Sequence, residues 1–488
     1  PRGATERCWW SGGVNPPFDA NREDVEMRPV RGSLVAVVVL VACTATSTTT
    51  PASSPASSTP PSSAGPSGPA GGRWPTYHGD VTRSGVAAGP SLAGVRHAWT
   101  SPQLDGTVYA EPLAIGARVI TATENDTVYA LDAATGAVAW HRHLGTPVDS
   151  ATLPCGNIAP TSGITATPVA DPAAGLLYVA AFLAPAQHEL FALRMSNGAV
   201  LWHRPIDPPG MDPRTQQLRS ALTLANGSVY VAYGGLFGDC GSYHGWVAAL
   251  AADGSGPLLD YRVPTTNAGG IWAPSGPAVD ADGHLFVATG NSFSADTFDL
   301  GDSVIELSPQ LKELAFFAPA DWAALNTGDV DLGSVGPALL PGGRIFQIGK
   351  GGVGYLLDAN DLGGIGGELS SAPVCGGSFG GTAHDGRSIF VPCSDGLVAL
   401  RVADDGQSFG QVWRSAAFDA GPPIVAGGLV WSIDLSSSTL MGFDPVTGSE
   451  VVRQSMDEVS HFASPSSAPG CLFVPTYRTI TAFCVAGA

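Results

Sequence analysis

The sequence predicts an all-β fold: an eight-bladed β-propeller of four-stranded blades whose last blade is closed by an N-terminal strand. Three observations carry this reading. A strand–turn–strand signature recurs eight times in phase, the copies are spaced at roughly 40–60 residues, which suits one four-stranded blade, and the composition favours turns over charge. The clearest copy is Ala130-Leu131-Asp132-Ala133-Ala134-Thr135-Gly136-Ala137-Val138-Ala139-Trp140. Val128-Tyr129-Ala130-Leu131 alternates as a half-buried strand does. Asp132 can hydrogen-bond the backbone two residues on, and Gly136 supplies the positive φ that closes a short hairpin. Trp140 follows as a large apolar side chain suited to wedging between units.

The remaining copies follow in order. Ala192-Leu193-Arg194 runs through Asn197-Gly198 to Trp202, and Ala249-Leu250 through Asp253-Gly254. Val304-Ile305-Glu306-Leu307 opens the fourth and Tyr355-Leu356-Leu357-Asp358 the fifth. Ala399-Leu400-Arg401 leads through Asp405-Gly406 to Trp413, Gly442-Phe443-Asp444 to Thr447-Gly448, and Ala482-Phe483-Cys484 is the eighth. That last copy stops after its third strand, at Val485. The orphan strand Val95-Arg96-His97-Ala98-Trp99, ahead of the first blade, carries a Trp where the missing fourth strand needs one. Pairing the two closes the ring and removes its open edges. A β-sandwich or two separate barrels would leave eight in-phase turn signals unexplained.

With 44% hydrophobic and 13% charged residues, the chain buries a large core. Its 63 Gly and 40 Pro fit a turn-rich all-β protein. A net charge of −19 argues against nucleic acid and anionic membrane surfaces as partners. A small molecule or a cell-envelope protein is expected instead, bound to a monomer.

Residues 73–488 are expected to form the propeller domain. Ahead of it, residues 1–26 read as a non-native upstream extension. Met27-Arg28-Pro29-Val30-Arg31 and the apolar run to Ala42 make residues 27–42 a secretory signal too short to span a bilayer. Leu40-Val41-Ala42-Cys43 resembles a bacterial lipobox, which makes Cys43 the lipidated residue. Residues 43–72, nearly all Thr, Ser, Pro, Ala and Gly, cannot bury a core and read as a disordered tether. The expected location is extracytoplasmic, held to the membrane by lipid alone or secreted.

Beyond Cys8 and Cys43, six cysteines remain, an even number in an exported chain. Cys471 and Cys484 flank a hairpin about Thr476-Tyr477-Arg478, and Cys375 and Cys393 one about His384-Asp385. Cys155–Cys240 follows by elimination. No C-x-x-C-H occurs, which excludes covalently attached haem c. His141 and His143 share one strand face, but no third ligand accompanies them and they read as features of the repeat.

The A-x-D-x-x-T-G-x-x-x-W signature resembles the tryptophan-docking motif of the pyrroloquinoline-quinone (PQQ) propeller superfamily. The segment Trp74-Pro75, Asp80, Arg83-Ser84-Gly85 is similar to the opening of many members. The resemblance covers residues 73–488 and implies the fold. It leaves function open, because the superfamily holds alcohol dehydrogenases as well as cofactor-free scaffolds such as outer-membrane assembly lipoproteins.

Four central segments look like quinone-site segments of PQQ alcohol dehydrogenases, most closely the polyvinyl-alcohol dehydrogenases. They are Gly269-Gly270-Ile271-Trp272, Thr289-Gly290-Asn291, Gly328-Asp329-Val330-Asp331 and Gly349-Lys350-Gly351-Gly352. The resemblance implies that Trp272 is the floor on which a quinone stacks and that Asn291 ligates calcium through its amide oxygen. It implies that Asp329 is the catalytic carboxylate and a metal ligand, that Asp331 is the second acid, and that Lys350 is the cation on the quinone carbonyls. Chemically, hydride transfer to a quinone needs a base on the alcohol proton and a Lewis acid on the quinone oxygen. One departure stands out: the dehydrogenases supply a calcium-binding Glu from a segment that here reads Gly234-Gly235-Leu236-Phe237-Gly238-Asp239-Cys240-Gly241, with Asp239 the single acid. The expectation is therefore a ligand-binding or scaffolding propeller with a degenerate quinone site, the alternative being a working PQQ- and calcium-dependent alcohol dehydrogenase.

Overall fold

The computed structural model describes residues 73–487. The upstream extension, the signal, Cys43 and the tether lie outside the described residues.

Eight antiparallel sheets follow one another along the chain, at residues 113–143, 169–205, 223–262, 278–318, 338–373, 383–414, 424–455 and 466–484. Within each blade the strands run from innermost to outermost in chain order. The middle strands are apolar because neighbouring blades cover both of their faces. In blade 1, Arg118–Thr123 is buried over nearly its whole length, whereas the outermost strand, Val138–His143, is mostly exposed. The eighth blade has only three strands of its own. Its fourth is Arg96–Thr100, which pairs antiparallel with Thr479–Cys484 and sets Trp99 opposite Ala482.

The repeated Trp and Gly prove to be one device. Trp99, from the strand that completes blade 8, lies on blade 1 at Gly136, where a Cβ would come within 2.4 Å of the indole. Its Nε1 donates to the Ala133 carbonyl at 3.0 Å. Trp140 repeats this on Gly198 and Met195, and Trp413 on Gly448 and Pro445. Each such glycine has positive φ, 71°, 67° and 71° in turn. It both closes its hairpin and leaves the space the preceding blade's indole occupies.

All three cysteine pairs are bonded. Cys471 and Cys484 face each other in strand register, as expected. Cys375–Cys393 forms for a different reason from the one read in the sequence. The hairpin about His384-Asp385 has a first arm of only Ala383–Asp385, and Cys375 lies before it, just after the outermost strand of blade 5. The bond therefore ties the exit of blade 5 to the second strand of blade 6. Cys155–Cys240 joins the loop entering blade 2 to a loop of blade 3. Three such bonds belong to an oxidising, extracytoplasmic setting. No helix among the described residues is long and apolar enough to cross a membrane.

The segment 74–87 fills the centre of the ring. Pro75 O accepts from Ala170 N of blade 2, Val81 O from Val279 N of blade 4, and Thr82 O from Leu339 N of blade 5. Ser84 O accepts from His384 N of blade 6 and Gly85 O from Val425 N of blade 7. Arg83 reaches Thr223 Oγ1 of blade 3 at 2.6 Å. Glu111, in the loop entering blade 1, accepts from Trp74 Nε1, from His78 N and from Ser464 Oγ at the entry of blade 8. The motif thus binds all eight blades. Burial pushes Glu111 up to about 7 against its hydrogen bonds, and burial followed by the Arg83 charge pushes His78 down to about 3.

Candidate functional site

In an up-and-down blade, the segment before strand one and the loop between strands two and three lie on the same face. Trp272 precedes the innermost strand of blade 4, Ala278–Val279, and Asn291 follows its second strand, Leu285–Ala288. In blade 5, Asp329 and Asp331 precede Ala338–Leu340, and Lys350 follows Arg344–Gln347. Two neighbouring blades therefore present all five residues at one end of the channel. Asp329 ends the short helix Trp322–Gly328 in the left-handed conformation, φ 52° and ψ 46°, which Asp tolerates better than most residues.

The five residues form one contact network. Lys350 Nζ lies 2.9 Å from Asp329 Oδ1 and 2.5 Å from Asp331 Oδ2. The backbone N–H of Asn291 donates to Asp331 Oδ1 at 2.7 Å. The ammonium stands 5.9 Å from the Trp272 ring centroid. Glycines make this approach possible: a Cβ on Gly290 would come within 2.3 Å of Asp331 Oδ1, and one on Gly234 within 2.6 Å of Trp272 Cβ.

Charge is matched inside the network. Burial raises the Asp331 carboxyl above its usual range, and the Lys350 ammonium pulls part of that back. Burial works against the Lys350 charge too, but Asp331 and Asp329 outweigh it and hold the ammonium above its ordinary value. Both oxygens of Asp331 are engaged. Asp329 is mostly exposed and reaches the adjoining cleft.

A third acid went unread in the sequence. Asp302, fully buried, accepts from Leu332 N at 2.7 Å through Oδ1, while Oδ2 has no hydrogen-bond partner. Burial first, then Asp331, pushes its pKa up to about 8. The available signal was an acid in a Gly-Asp-Ser run entering an apolar strand. A raised carboxyl pKa contributes stability that is complete below about pH 4 and is lost as pH rises towards 8. Asp302→Asn keeps the acceptor and tolerates the φ of 48°. It is expected to lift the thermal midpoint at pH 8 relative to the wild type, by the equivalent of a few kcal/mol, and to change it little at pH 4. Equal midpoints at pH 8 would contradict the assignment.

Beside the network is a cleft of about 450 Å³ lined by Asp239, Asn291, Phe293, Asn326 and Asp329, among others. Asp239 does occupy this wall, but Tyr243 Oη donates to its Oδ1 at 2.6 Å. Among the described residues no three His, Cys, Asp or Glu side chains bring their ligand atoms within 4.8 Å of one another except Cys375, Cys393 and Asp395, whose two sulfurs are spent in a disulfide. The flat indole and its glycine cradle fit a quinone. The acids fit a calcium ion only if Lys350 leaves the position between them.

Gly376-Gly377-Ser378-Phe379-Gly380 has the spacing of a serine-nucleophile elbow. Ser378 is fully buried, however, and its hydroxyl donates to the Pro392 carbonyl at 2.6 Å, which leaves it no nucleophilic role. His141 stacks on Tyr129 on the outer strand of blade 1, far in the fold from this network.

Residues 60–242 match the family described as "Outer membrane protein assembly factor BamB". The chain is 28% identical over 230 residues to a polyvinylalcohol dehydrogenase of Sphingopyxis sp. (strain 113P3), covering 42% of this chain and 32% of that protein. It therefore spans about a third of that relative's length. Quinohemoprotein alcohol dehydrogenase ADHIIG from Pseudomonas putida HK5 superposes with a TM-score of 0.65 at 14% identity, over 86% of this chain and 81% of the other. BamB from Moraxella catarrhalis superposes at 0.56 and 13% identity, over 80% and 99%. At these identities the structural likenesses show the fold alone.

Proposed function

We propose that this chain, an eight-bladed propeller of the PQQ-like superfamily related to PQQ-dependent alcohol dehydrogenases, binds pyrroloquinoline quinone at the channel mouth and oxidises alcohols there. The observation that carries the reading is the contact network itself: Trp272, Asn291, Asp329, Asp331 and Lys350, drawn from four separate segments, meet at one end of one channel. Bound quinone would supply a two-electron acceptor for the hydride of an alcohol carbon.

The chain's own residues then divide the work. Trp272 offers a face for stacking. Lys350 places positive charge beside that face, where electron density on a quinone oxygen would grow. Asp331, with both oxygens engaged, holds Lys350 in place. Asp329 keeps an oxygen towards the cleft and is the group placed to accept the alcohol proton.

A second reading remains: a binding or scaffolding propeller with a degenerate quinone site. It is favoured by the absence of Glu from residues 234–241 and by the capture of Asp239 by Tyr243. Lipid anchoring through Cys43, or release into the medium, is proposed with either reading.

The test titrates the protein with pyrroloquinoline quinone, with and without calcium, following Trp fluorescence, and then measures dye-linked oxidation of primary and secondary alcohols. Saturable quenching with turnover is expected. Asp329→Asn is expected to keep the quenching and lose about 100-fold or more in turnover. Quenching without turnover selects the degenerate site, and no quenching removes the quinone altogether.

A further inference from the structure

The cleft beside the network holds a second acid that the proposed chemistry leaves unused. The charged side chains in its lining are Asp239 and Asp329, with no Lys, Arg or His. Tyr243 Oη donates to one oxygen of Asp239. Among the described residues no cation reaches ion-pair distance of that carboxylate. Lys350 is held between Asp329 and Asp331, and Arg219 lies over Phe462, outside the lining. The neutral polar groups of the wall are spent inside the protein. Asn326 accepts from Ser292 N and donates to Ser294 O, and the Thr327 hydroxyl donates to Ala323 O. Unmatched negative charge in a concave wall favours a positive ligand and disfavours an anion.

Spacing and surroundings specify that ligand further. Oxygens that share one calcium ion, at 2.3–2.6 Å from it, stand within about 5 Å of one another. Asp239, Asp329 and Asp331 do not meet that spacing as a set. It is too open for a small hard ion and suits a broad organic cation, whose charge is spread over an ammonium group and its substituents. Phe293, in the lining, is 58% exposed, and so is Phe237, two residues before Asp239. Exposed aromatic faces beside carboxylates are the surroundings in which proteins hold ammonium groups, the ring attracting the cation and shielding its methyls from water.

We infer that the cleft takes alcohols that carry an ammonium group, with the cation held by Asp239 and Phe293 and the hydroxyl presented to Asp329. The inference deepens the alcohol-oxidation reading, on which it rests for the reaction, and makes Asp239 the residue that selects the substrate's charge. The chemistry itself is unchanged. The alcohol carbon gives a hydride to the quinone, the hydroxyl proton passes to Asp329, and the product leaves as the aldehyde. The ammonium end is an anchor and takes no part in bond making.

The experiment uses the full chain with pyrroloquinoline quinone and three primary alcohols of similar size: choline, its uncharged isostere 3,3-dimethylbutan-1-ol, and 4-hydroxybutanoate. Dye-linked oxidation is expected to give choline a KM about tenfold or more below that of the isostere, and the hydroxy acid one about tenfold or more above it. Asp239→Asn keeps an oxygen for Tyr243 and is expected to bring the choline and isostere values together, with Phe293→Ala narrowing the gap part of the way. Equal KM for choline and isostere in the wild type overturns the inference while the quinone reading stands. If neither alcohol is oxidised, calorimetric titration with choline decides. Binding that Asp239→Asn weakens about tenfold upholds the cation site and removes the oxidation, and no binding overturns both. Should Asp239→Asn fail to fold, raising NaCl from about 0.05 to about 0.5 M settles the matter on the wild type: KM for choline must rise and that of the isostere must not.

Discussion

Arg83→Met is expected to lower the thermal midpoint by on the order of 5 °C or more and to cut soluble yield, although Arg83 takes no part in the proposed chemistry. Arg83 is 1% exposed. Nη1 donates to Thr76 Oγ1 at 2.8 Å and Tyr77 O at 3.1 Å, and Nη2 to Thr223 Oγ1 at 2.6 Å and Pro277 O at 3.0 Å. Methionine fills similar volume but leaves those acceptors unmet, at about 1–3 kcal/mol for each that cannot find another donor. Two effects reduce the total. Thr223 Oγ1 already donates to Pro277 O at 2.8 Å, and the mutation removes a charge that burial disfavours, which is why the Arg83 pKa falls to about 10. The balance left is roughly 4 kcal/mol. Arg83→Lys, which restores charge without the fork, should recover only part of it. A midpoint within a degree of the wild type would show that the plug contributes little to holding the blades together.

Lys350→Met is expected to act in two directions at once. It removes the ammonium that stands over Trp272, so quinone-dependent alcohol oxidation should fall about 100-fold or more if the channel mouth is the redox site. It also leaves Asp329 and Asp331 facing the place where the ammonium stood, 2.9 and 2.5 Å from them. At an effective dielectric of 20, each unit-charge pair at such distances is worth about 6 kcal/mol before solvation is counted. A hard cation offered to the mutant regains part of that attraction, with the Asn291 amide oxygen as a neutral donor nearby. Terbium luminescence sensitised by Trp272, competed with calcium, should therefore report affinity at least tenfold tighter in Lys350→Met than in the wild type. Unchanged affinity would mean that the acids are not held apart from a metal by Lys350. Tight calcium binding in the wild type would mean that the ammonium gives way of its own accord.

Particular residues show how far the chain could be read before folding. Gly136, Gly198 and Gly448 were legible because a positive-φ turn is a local property, and so was the pairing of Val95–Trp99 with the last copy, because an unfilled strand position is a matter of counting. Cys471–Cys484 was legible as two strand ends in register. Cys375–Cys393 was paired correctly for the wrong reason: local symmetry about His384-Asp385 mimicked a hairpin, while the real constraint is the path from blade 5 to blade 6. Among site residues, the sequence pairs Asp329 with Asp331, yet burial separates them into an accessible acid and an engaged one. Asp302 offered only a weak local signal, a Gly-Asp-Ser run before an apolar strand. Its significance lies in what surrounds it, which leaves one buried oxygen without a hydrogen-bond partner.

Turn chemistry and hydrophobic alternation act over a few residues, and they were enough to set the blade, its number of copies and the closure of the ring. Charge pairing, desolvation and the filling of the central channel act between segments more than a hundred residues apart. Only folding could bring Trp74 to Glu111 and Ser464, or Lys350 between two acids beneath Trp272. The order of residues specified the scaffold because its rules are local, and the packed ring assigned the partners because electrostatic and hydrogen-bond energies depend on distance through space.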